Sequence, residues 1–140
     1  MENKIKIAIT MGDPSGIGAE IIVKALSEEG KKEFIPIVIG SKKVLNNQIK
    51  INKSKLLLEE INHLDQITDY KPNKVYIINP GEVTSEFTQG ELDINSGRES
   101  HKWVEFAAEL CINKQVEAMV TAPINKEAWS MAGIKDTGHQ

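Results

Sequence analysis

Large apolar residues occupy every second position near the start of the chain, where Ile5, Ile7 and Ile9 alternate with Lys4, Lys6 and Ala8. This two-residue period predicts a β-strand over residues 4–10. Apolar positions then recur with helical spacing over residues 17–26, and the apolar, β-branched run at 34–40 is typical of a buried strand. The first forty residues therefore predict a strand, a helix and a second, parallel strand joined by a right-handed crossover.

The alternation of strand and helix patterns continues along the chain. A short helix capped by Ser41 is predicted over 41–47. The capping-box pair Ser96 and Glu99 predicts the start of a long helix over 96–113. Strands are predicted at 74–79 and 117–122, a further helix at 124–131, and residues 56–61 fit either a strand or a short helix. We therefore expect an α/β fold with a largely parallel sheet, built as a single unit over residues 1–140.

Composition narrows the class of protein. A chain of 140 residues fits one compact domain. The net charge of -3 argues against a nucleic-acid-binding protein. The apolar run at the N-terminus is too short for a signal peptide or a membrane span, so we expect a cytoplasmic protein without a membrane partner. The single cysteine, Cys111, excludes an intrachain disulfide and a cysteine-rich zinc site.

A glycine-rich segment, GDPSGIGAE at 12–20, joins the first predicted strand to the first predicted helix. Ligands of open α/β sheets bind at the carboxyl ends of the strands, and a helix start attracts anions. Ile17 and Gly18 stand where a P-loop has its glycine and lysine, and Ile21 stands where the dinucleotide fingerprint has its third glycine. An anion site and a tight turn without a ligand both stay open for this segment.

Two later segments carry candidate site residues. The segment TAPINK at 121–126 leads from a strand end into a helix and places Lys126 in the first turn, although cations prefer the other end of a helix. A residue placed against local preference is often functional, but a solvent-exposed lysine is the commoner case. In the segment TGHQ at 137–140, His139 follows a glycine. It either binds phosphate or transfers protons, or it is an ordinary surface residue.

Together these segments resemble the signatures of one enzyme family. TMGDPSGIG at 10–18, VTAPINKEA at 120–128, and AGI at 132–134 followed by TGH at 137–139 are similar in order and spacing to those of the 4-hydroxythreonine-4-phosphate dehydrogenase family. The resemblance extends along all 140 residues and corresponds to the N-terminal part of the family's sequence.

The resemblance implies a three-layer α/β/α subunit like the isocitrate and isopropylmalate dehydrogenases, with an active site between two lobes near a homodimer interface. Family members oxidise 4-phosphooxy-L-threonine with NAD or NADP and a divalent metal (Zn, Mg or Co). The product loses carbon dioxide to give 3-amino-2-oxopropyl phosphate for pyridoxal 5'-phosphate (vitamin B6) biosynthesis. By match, Lys126 and Asp13 are implied as catalytic residues, and His139, Gln140 and Asn125 as substrate-binding residues.

The chain departs from the family pattern at one position, and other functions stay open. The family usually has a substrate-binding threonine where this chain has Gln140, so the phosphate contact there is altered. The residues that bind the metal, and most that bind the cofactor, are implied to lie beyond these 140, so we expect this chain alone to be inactive. A sister dehydrogenase acting on D-threonate or D-erythronate 4-phosphate, and a non-catalytic anion-binding or assembly module, both stay open.

Overall fold

Strands and helices alternate through the residues that the structure, a computed structural model, describes. These are residues 4–12, 17–28, 33–68, 71–80 and 94–122, without the side chains of 94–96. The strands are β1 (Ile5–Thr10), β2 (Phe34–Ile39), β3 (Leu57–Glu60), β4 (Lys74–Ile78) and β5 (Ala118–Thr121). The helices are α1 (Gly18–Leu26), α2 (Lys42–Ile51) and α3 (Ile94–Ile112).

The strands form one sheet in the order β3-β4-β2-β1-β5, and each neighbouring pair is parallel. From β1 to β3 the chain moves across the sheet in one direction, and from β3 through β4 to β5 it returns. Because crossovers between parallel strands are right-handed, this reversal places helices on both faces. Accordingly, α1 packs with α2, while α3 packs across β1, β2 and β5. The predicted α/β fold with a parallel sheet is confirmed.

The core follows from the strand patterns. β2 is buried at five of its six positions, as expected for a central strand covered on both faces. Ala8, Ile37 and Tyr76 lie in register on three adjacent strands, and all are wholly buried. Pro36 is tolerated inside β2 because it precedes Ile37, where pairing with β4 begins, so no backbone N–H is needed there for the β4 ladder. Trp103 of α3 is also wholly buried.

Some element boundaries differ from the sequence predictions. The ambiguous segment at 56–61 contains a strand, and α2 continues to Ile51 rather than ending at residue 47. Ser41 caps α2 as predicted, because its side chain accepts a hydrogen bond from the backbone N–H of Val44. The predicted capping box was wrong, because α3 begins at Ile94 and Ser96 lies inside the helix. The predicted helix at 124–131 lies outside the described residues.

Candidate functional site

The carboxyl ends of four strands lie close to the same level of the sheet. Hydrogen bonds extend the ladder one residue beyond the strands: Met11 N–H donates to Ile39 O at 3.0 Å, and Ala122 N–H donates to Thr10 O at 3.1 Å. Gly40 N–H likewise donates to an oxygen of β4 at 3.0 Å. We call this row of strand ends the carboxyl edge, defined by Thr10–Gly12, residues 40–41, Asn79 and residues 121–122. It is the place where open parallel sheets bind ligands.

Glycines allow the first helix to approach this edge closely. Gly12 has a φ of 77°, a conformation that side chains other than glycine rarely adopt, and it turns the chain out of β1. At Gly18, the first residue of α1, an added Cβ would overlap the carbonyl oxygen of Met11 and lie 3.2 Å from Cβ of Ala122. At Gly40 an added Cβ would lie 2.6 Å from Cβ of Met11. The start of α1 is therefore held tightly against the ends of β1 and β5.

The start of α1 has properties that suit an anion. Ile17 occupies the N-cap position and makes no side-chain hydrogen bond to the helix. The first backbone N–H groups of any helix lack intrahelical acceptors, and the helix dipole is positive at this end. α2 also begins at the carboxyl edge, but the hydroxyl of Ser41 already accepts a hydrogen bond from that helix. Of these two helix starts, that of α1 is better suited to a negatively charged ligand.

On the opposite face, the first half of α3 brings polar groups to the carboxyl edge. Nε1–H of Trp103 donates to Oδ1 of Asn79 at 3.0 Å, which fixes this turn of α3 beside the end of β4. Glu99 lies one turn nearer the start of α3, so it is close to the level of the carboxyl edge. Glu99 is 7% exposed and Ser100 is 1% exposed. Buried polar side chains are thus concentrated where α3 meets the strand ends.

Thr10 contributes a further buried polar group at this edge. It is the last residue of β1 and is completely buried, and its Oγ1 has no hydrogen-bond partner among the described residues. It lies directly opposite Thr121 of β5 in the parallel register. A buried hydroxyl without a partner is uncommon in native proteins and requires a specific explanation.

A cleft of about 740 Å³ lies elsewhere on the α3 face, between the β3–β4 connection and the second half of α3. Lys6, His63, Phe106 and Lys114 are among its lining residues. It extends from residues 62–65, which follow β3, and Ile78, the last residue of β4, to Lys6 near the amino end of β1. The two motif segments leave the sheet from β1 and β5, and neither of those strand ends lines the cleft, so it is the weaker candidate for an active site.

The candidate residues that the sequence analysis named for the site all lie outside the described residues: Asp13, Asn125, Lys126, His139 and Gln140. Their roles therefore stay predictions. The structure does bring together the strand ends from which two of the motifs leave, because Thr10 and Thr121 are paired in register. Within the described part of the chain, no three His, Cys, Asp or Glu side chains lie close enough together to bind a metal.

The polar residues Thr10, Asn79 and Glu99 were missed as candidates by the sequence analysis. A threonine at a strand end and an asparagine before a proline are both ordinary in turns. Glu99 was interpreted as a helix cap. All three lie near the carboxyl ends of the strands. A local sequence pattern does not show that residues distant in the chain meet there.

Comparison with known proteins agrees with this geometry. Residues 32–140 match the family model described as "Pyridoxal phosphate biosynthetic protein PdxA". The chain belongs to the PdxA family. A 4-hydroxythreonine-4-phosphate dehydrogenase of Sulfurihydrogenibium sp. (strain YO3AOP1) is 34% identical over 135 residues, which are 96% of this chain and 40% of that protein. The resemblance inferred from the motifs is therefore confirmed.

Two further PdxA relatives extend the comparison. A D-threonate 4-phosphate dehydrogenase of Salmonella typhimurium is 38% identical over 141 residues, covering 99% of this chain and 42% of that protein. A crystal structure of a 4-hydroxythreonine-4-phosphate dehydrogenase from Burkholderia phymatum superimposes with a TM-score of 0.88 at 30% identity, covering 99% of this chain and 42% of that one. The chain thus spans about two-fifths of the length of the PdxA relatives it matches.

No helix in the described part of this PdxA chain is long and apolar enough to cross a membrane.

Proposed function

We propose that this chain forms one wall of the active site of a PdxA-type dehydrogenase that acts on a phosphorylated hydroxy acid. The observation that carries the proposal is the pairing of Thr10 with Thr121 at the carboxyl edge of a PdxA-family fold. Two motif segments leave the sheet from these neighbouring strand ends. An anionic substrate bound there would meet the start of α1, where the N-cap residue Ile17 makes no side-chain hydrogen bond to the helix.

The reaction proposed is oxidation and decarboxylation of 4-phosphooxy-L-threonine to 3-amino-2-oxopropyl phosphate, in pyridoxal 5'-phosphate biosynthesis. NAD or NADP would accept the hydride. From the family resemblance, we propose that residues beyond this chain hold the divalent metal. From the motif match, Lys126 and Asp13 are proposed as catalytic residues, with His139, Gln140 and Asn125 binding the substrate.

A second candidate function is oxidation of D-threonate or D-erythronate 4-phosphate. The observation that supports it is the 38% identity to the Salmonella typhimurium D-threonate 4-phosphate dehydrogenase, which equals the 38% identity to a 4-hydroxythreonine-4-phosphate dehydrogenase of Prosthecochloris aestuarii. The cytoplasm stays the expected location, and a homodimer is proposed on the family resemblance alone. Light scattering coupled to gel filtration would test the dimer directly.

The deciding experiment is an assay of NAD and NADP reduction by the protein expressed from its complete reading frame, with Zn, Mg or Co supplied in turn. The three phosphates named above are the substrates, and the one with the highest kcat/KM identifies the function. Lys126→Met should lower kcat/KM about 100-fold or more, as loss of a charged or proton-transferring group does. Lys24→Met on the exposed side of α1 is the matched control and should have no effect. Inactivity of the wild-type protein toward all three phosphates would refute the proposal and favour a non-catalytic module.

The 140-residue chain tested alone should reduce neither cofactor, because the metal and most cofactor contacts are assigned outside it. Metal-dependent cofactor reduction by this chain would contradict that assignment.

A further inference from the structure

The hydroxyl of Thr10 has a location and an environment that the fold does not require. The side chain is wholly buried, and Oγ1 has no hydrogen-bond partner among the described residues. Valine has the same shape, suits a β-strand at least as well, and would remove the desolvation penalty of an unpaired hydroxyl. A sheet built for stability alone would therefore be better with valine at this position. The hydroxyl therefore has no explanation within the described part of the fold.

Thr121 is the neighbour that connects this hydroxyl to the carboxyl edge. The two residues lie opposite each other in the parallel register, so their side chains project from the same face of the sheet. Thr121 is half-buried, whereas Thr10 is not exposed at all. Adjacent strands are about 4.8 Å apart, so rotation about χ1 can bring the two hydroxyl oxygens to the usual O–H···O distance of about 2.8 Å. A ligand at the edge can reach Thr121 but not Thr10.

We propose that Thr121 contacts the anionic substrate and that Thr10 is the positioning residue behind it. In the loaded site the Thr121 hydroxyl donates to a phosphate or carboxylate oxygen of the substrate, and its oxygen accepts the hydrogen bond of Thr10. A chain of two hydroxyls strengthens each bond by polarisation. The Thr10 hydroxyl is thereby paired when the substrate is bound. This inference rests on the proposed function for the identity of the substrate.

The test uses the protein from its complete reading frame, with Thr10→Val, Thr10→Ser, Thr121→Val and the Thr10→Val/Thr121→Val pair. Thr10→Val should raise the Tm of the unliganded protein by about 2–8 °C, since it removes an unsatisfied buried group. The same variant should raise KM for the best phosphate substrate about 10-fold, with kcat nearly unchanged, because a positioning hydrogen bond is lost. Thr10→Ser keeps the hydroxyl and should restore the wild-type KM.

The double variant distinguishes a coupled pair from two independent effects. If Thr10 acts through Thr121, then Thr121→Val and the double variant should have the same KM. Val38→Thr is the matched control, because Val38 is a wholly buried position of β2 where a new hydroxyl is remote from Thr121. It should lower Tm and leave KM unchanged.

Thr10→Val is expected to stabilise the fold and to weaken substrate binding, so either measurement can refute the inference. A lower Tm for Thr10→Val would show that Thr10 has a structural partner in the folded protein, and an unchanged KM would show that the hydroxyl does not serve the substrate. Additive effects of the two valine substitutions on KM would also overturn the coupling. The Tm measurement needs no substrate, so a fall in Tm contradicts this inference even if no phosphate is oxidised. A wild-type protein inactive toward every phosphate would instead refute the proposed function.

Discussion

Substitution of Gly18 by alanine separates two physical effects of opposite sign. Gly18 is the first residue of α1, and alanine is the better helix former by at most about 1 kcal/mol. An alanine Cβ would, however, overlap the carbonyl oxygen of Met11 and lie only 3.2 Å from Cβ of Ala122. Helix propensity alone therefore predicts a more stable protein, and the packing at the carboxyl edge predicts a less stable one.

The packing effect should dominate. Overpacking of a buried site usually costs about 1–3 kcal/mol, and it costs least when a flexible side chain can move away. Here the obstacle is the backbone of Met11, whose N–H is bonded to Ile39 O, and the neighbouring β5 end is bonded to Thr10 O. Neither can shift without loss of these hydrogen bonds. We expect Gly18→Ala to lower the free energy of unfolding by about 2 kcal/mol after the propensity gain is subtracted.

Urea unfolding followed by circular dichroism measures this difference. With an m-value of about 2 kcal/mol/M, the midpoint should fall by about 1 M. Ala25→Gly is the control, since Ala25 is an exposed position of the same helix where only propensity acts. It should cost about 1 kcal/mol. A Gly18→Ala protein as stable as the wild type would refute the close approach of α1 to the end of β1.

Three further outcomes are expected in the same unfolding assay. Ser41→Ala should cost about 1 kcal/mol because it removes the α2 cap, while Ser41→Asn should keep most of the stability; equal losses would contradict the cap. Trp103→Phe should cost about 3 kcal/mol, since it removes the donor to Asn79 and part of a wholly buried ring, and a loss below about 1 kcal/mol would show that this contact is unimportant. Lys24→Ala should change stability by less than about 0.5 kcal/mol, because its 2.9 Å ion pair with Glu20 is exposed; a larger loss would show that the pair is worth more than surface pairs usually are.

The buried central strands were predictable because a strand that is covered on both faces has an apolar sequence. β2 lies between two strands and under helices on both faces, so FIPIVI is apolar throughout. β3 was left ambiguous for the corresponding reason. It is an edge strand, three of its four residues are exposed, and LLEE has neither a strand nor a helix period. An edge strand is specified by its pairing with β4, and that information is not local.

The start of α3 shows the limit of local capping patterns. Ser96 and Glu99 have the spacing of a capping box, yet α3 begins two residues earlier, at Ile94. The pattern indicates which residues can cap a helix, whereas the first residue of the helix depends on where the backbone hydrogen bonds begin. Glu99 is 7% exposed in the interior of the helix, so its burial at the carboxyl edge, rather than a cap, is the feature that requires explanation.

The candidate site depends on a contact that the sequence cannot reveal. Thr10 and Thr121 are separated by more than one hundred residues, and each is unremarkable within its own strand. They become neighbours because α3 returns the chain across the sheet and β5 then joins the sheet at its edge, beside β1. The family motifs 10–18 and 120–128 therefore leave the sheet from neighbouring strand ends at the carboxyl edge. This shared point of departure brings two motif segments that are distant in sequence to one place on the sheet, which neither strand end could do alone.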